Sequence, residues 1–390
     1  MKIAFFSNFL NHHQLPLCEA FLARRDVEFV FVASEPIATD RLAMGYEDMN
    51  AYPFVLRTYE DPECESMAIW IAQTYDIVIF GATPRRYMEA RMAHNLLSFR
   101  FCERSLKKGT WRRFIPRTRK QIHRGYIQYK DKNMYILGSS AYTSYDLALC
   151  GFDANKCFKW GYFPEFKVRD VEALWEQKAK NSTVEILYAG RLLKLKRVID
   201  SLKAIHLLIK QGNKNIHFTI IGDGEEKKNL QAYVQKHNLR EYVSFLPFMS
   251  PEEVREYMDK ADIYIFGSNF YEGWGAVVNE AMNSACAMLV SHAVGSAEYL
   301  IRQGENGFVY RCGNIGDLTE KLKFLVENVD MRYRMGQRAY YTLSELWNAK
   351  IAVDRFLTLC ENDVPVKSGL WEDGPCSKAE VVKNNWINKV

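Results

Sequence analysis

Nowhere in this 390-residue chain do two cysteines stand three residues apart. The nine that occur run singly from Cys18 to Cys376. That pattern excludes a zinc ribbon and a thioredoxin-type redox pair. An odd, scattered set is expected to stay reduced, as in a cytoplasmic protein. No apolar run approaches the roughly 20 residues that a membrane-spanning helix needs. The opening run Met1–Phe6 soon meets Asn8, Asn11, His12 and His13. It is too short and too polar for the core of a signal peptide, so a buried first strand is expected. No internal repeat and no low-complexity tract stands out.

What is present is ordinary in bulk and uneven in detail. Apolar residues make up 48% and charged residues 25% of the chain, as in a soluble globular protein. The length suggests two or three domains, each able to bury a core. The net charge of +5 conceals an asymmetry. Between Arg85 and Lys132 stand fifteen Lys or Arg against Glu89, Glu103 and Asp131, a local charge of +12 that leaves −7 for the rest. Such a region attracts phosphate-bearing partners: an anionic membrane surface, a lipid-linked pyrophosphate or a nucleic acid.

The pattern of elements argues for parallel sheets. In the first half, β-rich runs at Ile3–Phe6, Val27–Val32, Ile77–Phe80 and Met134–Leu137 alternate with helix-like stretches such as Leu15–Arg24 and Met67–Thr74. Strand and helix in alternation give a doubly wound α/β sheet. The pattern restarts with strands expected at Val184–Ala189, His217–Ile221, Val243–Leu246, Ile263–Phe266 and Ala287–Ser291. Ser250-Pro251-Glu252-Glu253 reads as a capped helix start. Pro164 and the charged stretch Glu172–Lys180 are taken as the boundary. A first domain is expected over 1–165 and a second over 180–339. A helix over Arg338–Cys360 and the tail, 340–390, are expected to return to the first domain, with a short helix near Lys378. Two facing domains of this kind form a cleft, and ligands bind at the carboxyl ends of their strands.

One segment lies at such a strand end. After Ile263–Phe266 comes Glu272-Gly273-Trp274-Gly275-Ala276, then Glu280. The two glycines allow close approach of the backbone to a ligand. Free amides at a helix start favour a diphosphate. Carboxylates there suit sugar hydroxyls better than phosphate. Phosphate-binding cations must then come from elsewhere. Arg191 and Lys196, after the strand ending at Ala189, offer a planar fork and a point charge.

With these residues the second half resembles glycosyltransferase family 4, over roughly Val184 to Leu325. The resemblance rests on an ordered set: Gly190-Arg191-Leu192 with Lys196 five residues after the arginine, Gly222-Asp223-Gly224, and Glu272 with Glu280. It implies the GT-B fold of two Rossmann-like domains and a retaining transfer from a nucleotide-diphosphate sugar. It implies that Arg191 and Lys196 neutralise the diphosphate and that Glu272 meets the sugar hydroxyls. Glu280 would hold the ribose, Gly190 and the amides of Gly273, Trp274, Gly275 and Ala276 would line the donor, and Phe248 would border the base. The family needs no metal, and the chain has no Asp-x-Asp sequence. It departs from the family at Ser7–Gln14 and at Val294-Gly295, where members often carry Gly-Gly. No counterpart of the usual N-terminal-domain histidine stands out. His12, His13 and Glu103 are the acceptor-side candidates. Glu103 alternatively makes an ordinary ion pair with Arg100 or Arg104.

These observations lead to one expectation and its competitors. A UDP- or GDP-sugar is the expected donor, without cofactor or metal. The acceptor is expected to be a glycan or a lipid-linked precursor of a surface polysaccharide. The enzyme is expected in the cytoplasm, peripheral on the inner membrane through the basic region. The competitors are a degenerate binding or scaffold protein of the same fold and another GT-B enzyme, an epimerase or phosphorylase. Nucleic acid ranks last, because no module for reading it is present.

Overall fold

The computed structural model describes residues 1–39, 47–361 and 369–389. The chain divides into two compact units. The first comprises Met1–Glu165 and Asn348–Lys383, the second Phe166–Trp347 with the tail from Asn384.

The first unit is built on seven parallel strands: β1 (Lys2–Ser7), β2 (Glu28–Ala33), β3 (Val55–Arg57), β4 (Ile77–Phe80), β5 (Ser98–Cys102), β6 (Met134–Gly138) and β7 (Cys157–Lys159). Their order is β3-β2-β1-β4-β5-β6-β7. β4 and β6 are buried from end to end. Helices over both faces produce such uninterrupted apolar strands. The second unit has six parallel strands: β8 (Val184–Ala189), β9 (Ile216–Ile221), β10 (Val243–Leu246), β11 (Ile263–Phe266), β12 (Ala287–Ser291) and β13 (Gly307–Tyr310). Their order is β10-β9-β8-β11-β12-β13. Both sheets are Rossmann-like. Their strand order reverses between β1 and β4 in the first unit and between β8 and β11 in the second. A doubly wound sheet opens its ligand crevice at such a reversal.

Several expectations need correction. β3, β5, β7 and β13 were absent from the sequence reading. β3 and β7 have three residues each, too few to show a period. The charged stretch 172–180 is no linker. Val171–Ala179 is a helix of the second unit, with the Asp170 carboxylate accepting from the Ala173 amide at 3.0 Å and Trp175 packed on Tyr333. The expected helix 338–360 is two helices, Val329–Glu345 in the second unit and Ala349–Glu361 in the first. The break falls at Leu346–Asn348, where Trp347 is buried against Tyr299 and Trp274. Across it Phe356 reaches Phe21, in the helix Leu15–Leu22. Finally, no helix forms around Lys378. That segment runs antiparallel to the edge strand β7: the Lys159 amide donates to Ser377 O and the Ala379 amide to Cys157 O, at 2.8 and 2.9 Å. Covering an edge satisfies backbone groups that would otherwise template association.

Candidate active site of the second unit

The reversal point between β8 and β11 places two loops side by side, 190–197 and 267–276. Main-chain hydrogen bonds tie them into one floor. The Gly190 amide donates to Ile221 O, that of Leu192 to Asp223 O and that of Asn269 to Leu195 O, at 3.0, 2.7 and 2.9 Å. The loop after β12 joins them. The amides of Gly295 and Ser296 donate to the carbonyls of Gly273 and Trp274. Two glycines are required by this closeness. Gly222 has φ +136°, and a Cβ there would stand 2.2 Å from the Gly190 carbonyl oxygen. Gly275 has φ +82°, and a Cβ would strike the Phe266 ring at 2.7 Å. Positive φ and missing space both select glycine.

On this floor the two sequence-predicted chemical groups meet. Lys196 Nζ lies 2.5 Å from Glu272 Oε2, although 76 residues separate them. The same nitrogen stands 4.9 Å from the centre of the Phe266 ring. Ser268, fully buried, donates its hydroxyl to the same Glu272 oxygen at 2.8 Å. Ser268 was missed in the sequence, where a serine before a loop gives no signal. Arg191 is exposed, and its carbonyl accepts from the Tyr188 hydroxyl. Phe248 follows β10 and is also exposed.

Glu280 occupies the helix Val277–Asn283. Burial pushes its carboxyl above the ordinary range, and the Arg255 charge opposes that shift. The helix has seven residues, and no side chain caps its start. The Trp274 side chain belongs to the core, apart from the amide expected to line the donor. It is 1% exposed, its Nε1 donates to Asn279 Oδ1 at 2.8 Å, and it packs against Tyr299 and Trp347. Only its backbone belongs to the loop surface. Its core partners stand 25 and 73 residues onward and leave no local signal in the sequence.

In the first unit the acceptor-side candidates lie beyond strand ends. His12 and His13 follow β1, with ring centres 3.8 Å apart, and His13 lies edge-on to Tyr162. Glu103 follows β5 and pairs with Lys107, not with Arg100 or Arg104. Glu103 also hydrogen-bonds Tyr162; burial and that carboxylate push the phenol well up. Arg104 is taken by Asp146, a partner missed in the sequence because it lies 42 residues onward. The pair is fully buried, with nitrogen–oxygen distances of 2.9 and 3.1 Å. Asp146 also accepts from the Leu106 amide at 2.7 Å. The loop carrying Glu103 is thereby pinned.

Comparison with known proteins adds a family signature. Residues 171–342 match the family described as "Glycosyl transferases group 1". An alpha-D-kanosaminyltransferase of Streptomyces kanamyceticus is 28% identical over 179 residues, 45% of this chain and 46% of that protein. A lipopolysaccharide core biosynthesis glycosyltransferase of Rhizobium meliloti is 23% identical over 159 residues, 40% and 46% of the two chains. The aligned part of this chain thus spans about half the length of these relatives. Among solved structures, Anabaena HepE in complex with UDP superposes with a TM-score of 0.67 at 16% identity, covering 92% of this chain and 100% of that one. This likeness concerns the fold. Sequence match and floor geometry fall in the same place: the residues that match the glycosyl transferases group 1 family lie in the second unit.

Proposed function

We propose that the chain is a retaining glycosyltransferase of family 4 type. It moves a sugar from a UDP- or GDP-sugar to a glycan or lipid-linked acceptor in surface polysaccharide synthesis. The observation that carries this reading is the meeting of Lys196 and Glu272 at the β8/β11 reversal. A cation for diphosphate and a carboxylate for hydroxyls stand at one strand-end site, within the group 1 match. The names of the Rhizobium relative and of the UDP-bound Anabaena structure favour the polysaccharide role and the uridine donor.

In the reaction the bond from the anomeric carbon to the diphosphate oxygen breaks, and a bond to the acceptor oxygen forms on the same face. The acceptor proton passes to the departing diphosphate. Lys196 and Arg191 stabilise the charge that develops there, and such preorganised charge is commonly the largest catalytic term. Glu272 and Glu280 orient sugar and ribose, so that the reacting atoms meet in a near-attack geometry. The transfer is proposed to proceed without a metal. The test is nucleotide release from a panel of UDP-, GDP-, ADP- and dTDP-sugars without acceptor, with and without EDTA. Slow release of one nucleotide, unchanged by EDTA, is expected. Silence across the panel would favour the degenerate scaffold reading.

The basic region of the first unit is proposed to rest on an anionic membrane. No helix among the described residues is long and apolar enough to cross one. Trp111 and Phe114 are 59% and 71% exposed, and Arg112 and Arg113 lie over their rings. Aromatic rings among cations suit a headgroup interface. Phosphatidylglycerol vesicles should retain the protein in a flotation assay, and the double Trp111→Ser, Phe114→Ser variant should be released. Equal retention on polynucleotide, unaffected by that variant, would contradict the proposal.

A further inference from the structure

The contact between Glu272 and Lys196 competes with the roles proposed for them. The Lys196 ammonium and the Ser268 hydroxyl converge on one oxygen, Glu272 Oε2, at 2.5 and 2.8 Å. The lysine and glutamate side chains are only 13% and 15% exposed. In such surroundings an ion pair is weakly screened, and removing one charge leaves the other poorly compensated. A diphosphate on Lys196 therefore competes with the carboxylate for it. A sugar hydroxyl on Glu272 supplies a donor in the place the ammonium leaves.

We infer that donor binding is a partner exchange, with Ser268 as the positioning residue. Lys196 passes from Glu272 to the diphosphate. Glu272 stays on Ser268 and accepts the sugar hydroxyl. This inference rests on the nucleotide-sugar reading and extends it to the order of events. An intact nucleotide sugar compensates both halves of the broken pair. The nucleoside diphosphate left after transfer compensates only the lysine. Once the sugar has gone, Glu272 competes for Lys196 again and helps to expel the product. The pair thus discriminates donor from product, although both carry the same diphosphate and base.

The exchange predicts an inverted response to one substitution. Glu272→Gln keeps the shape and an oxygen acceptor for Ser268, but removes the competing charge. It should bind the product nucleoside diphosphate about tenfold more tightly than wild type, a change of about 1.4 kcal/mol. The same variant should hydrolyse the nucleotide sugar more slowly. Ser268→Ala should leave nucleoside diphosphate affinity unchanged and raise the KM for the nucleotide sugar. Calorimetric titration of UDP, GDP, ADP and dTDP into wild type and both variants reads the affinities; circular dichroism confirms folding. Should Glu272→Gln fail to fold, the Ser268→Ala split between diphosphate affinity and KM decides. Equal or weaker diphosphate binding in folded Glu272→Gln overturns the exchange while leaving the transferase reading intact. Binding of none of the four nucleotides by wild type overturns both.

Discussion

Glu280 shows how a single residue can oppose folding and still be placed for function. Burial raises its carboxyl pKa, and Arg255 only partly offsets the shift. A carboxyl raised in the folded state favours folding while protonated. That contribution is fully present below the unfolded value of about 4.3. It is lost as pH rises through the higher folded value. Glu280→Gln should therefore melt above wild type near neutral pH, and the gap should close toward pH 4. Each kcal/mol recovered corresponds to about 2–4 °C in a unit of this size. The proposed ribose contact predicts that the same variant loses nucleotide affinity, a trade of activity for stability. Thermal melts at both pH values, with nucleotide titration, check the pair of effects. At this scale, legibility in the sequence followed chemistry. Lys196 and Glu272 could be singled out as members of an ordered set of motifs, but their meeting across 76 residues could not be read. Ser268 and Asp146 could not be singled out, because each matters through a partner that only the folded chain supplies.

At the scale of elements, one buried arginine organises the layer behind β4 and β5. Arg91 lies in the helix Arg85–Ala93 and is fully buried. Its guanidinium donates to the carbonyls of Ala72, Tyr75, Asp76 and Leu97 and to Ser98 Oγ, between 2.6 and 3.1 Å. It thus ties the end of the helix Pro62–Thr74 to the start of β4 and β5. Burial holds its pKa down to about 10, so it remains charged at neutral pH. Arg91→Met would leave four carbonyls without this donor, at a cost of about 3 kcal/mol or more. Urea unfolding should show the first unit losing stability by that amount. A change under about 0.5 kcal/mol, typical of surface positions, would contradict the role. The elements read correctly from sequence were those with a clear period or cap. Ser250 and Glu253 form the reciprocal capping box that their spacing implied. The helix over 338–360 was misread for the opposite reason. Apolar residues keep helical spacing through Leu346 and Trp347, and no proline or glycine marks the turn.

For the whole molecule, the charge asymmetry is partly structural. Arg91 and Arg104 contribute to the +12 of the segment 85–132, yet both are buried and held by carbonyls and by Asp146. The surface available to a partner is therefore smaller than composition implied. It is better described by Trp111, Phe114 and the arginines around them. The two-sheet architecture was legible because apolar strands alternate with amphipathic helices twice. The chain ends are divided: Asn348–Lys383 lies with the first unit and the tail from Asn384 with the second, although a return of the whole of 340–390 to the first domain was expected.

Diphosphate stabilisation by the loop after β8 is proposed to drive the transfer. The most direct measurement is the turnover of the responsive nucleotide sugar by a double Arg191→Ala, Lys196→Ala variant, with folding verified by circular dichroism. Loss of two charge-assisted contacts in the transition state predicts a fall of about 100-fold or more. Turnover within about threefold of wild type, less than 1 kcal/mol of barrier, would contradict the account.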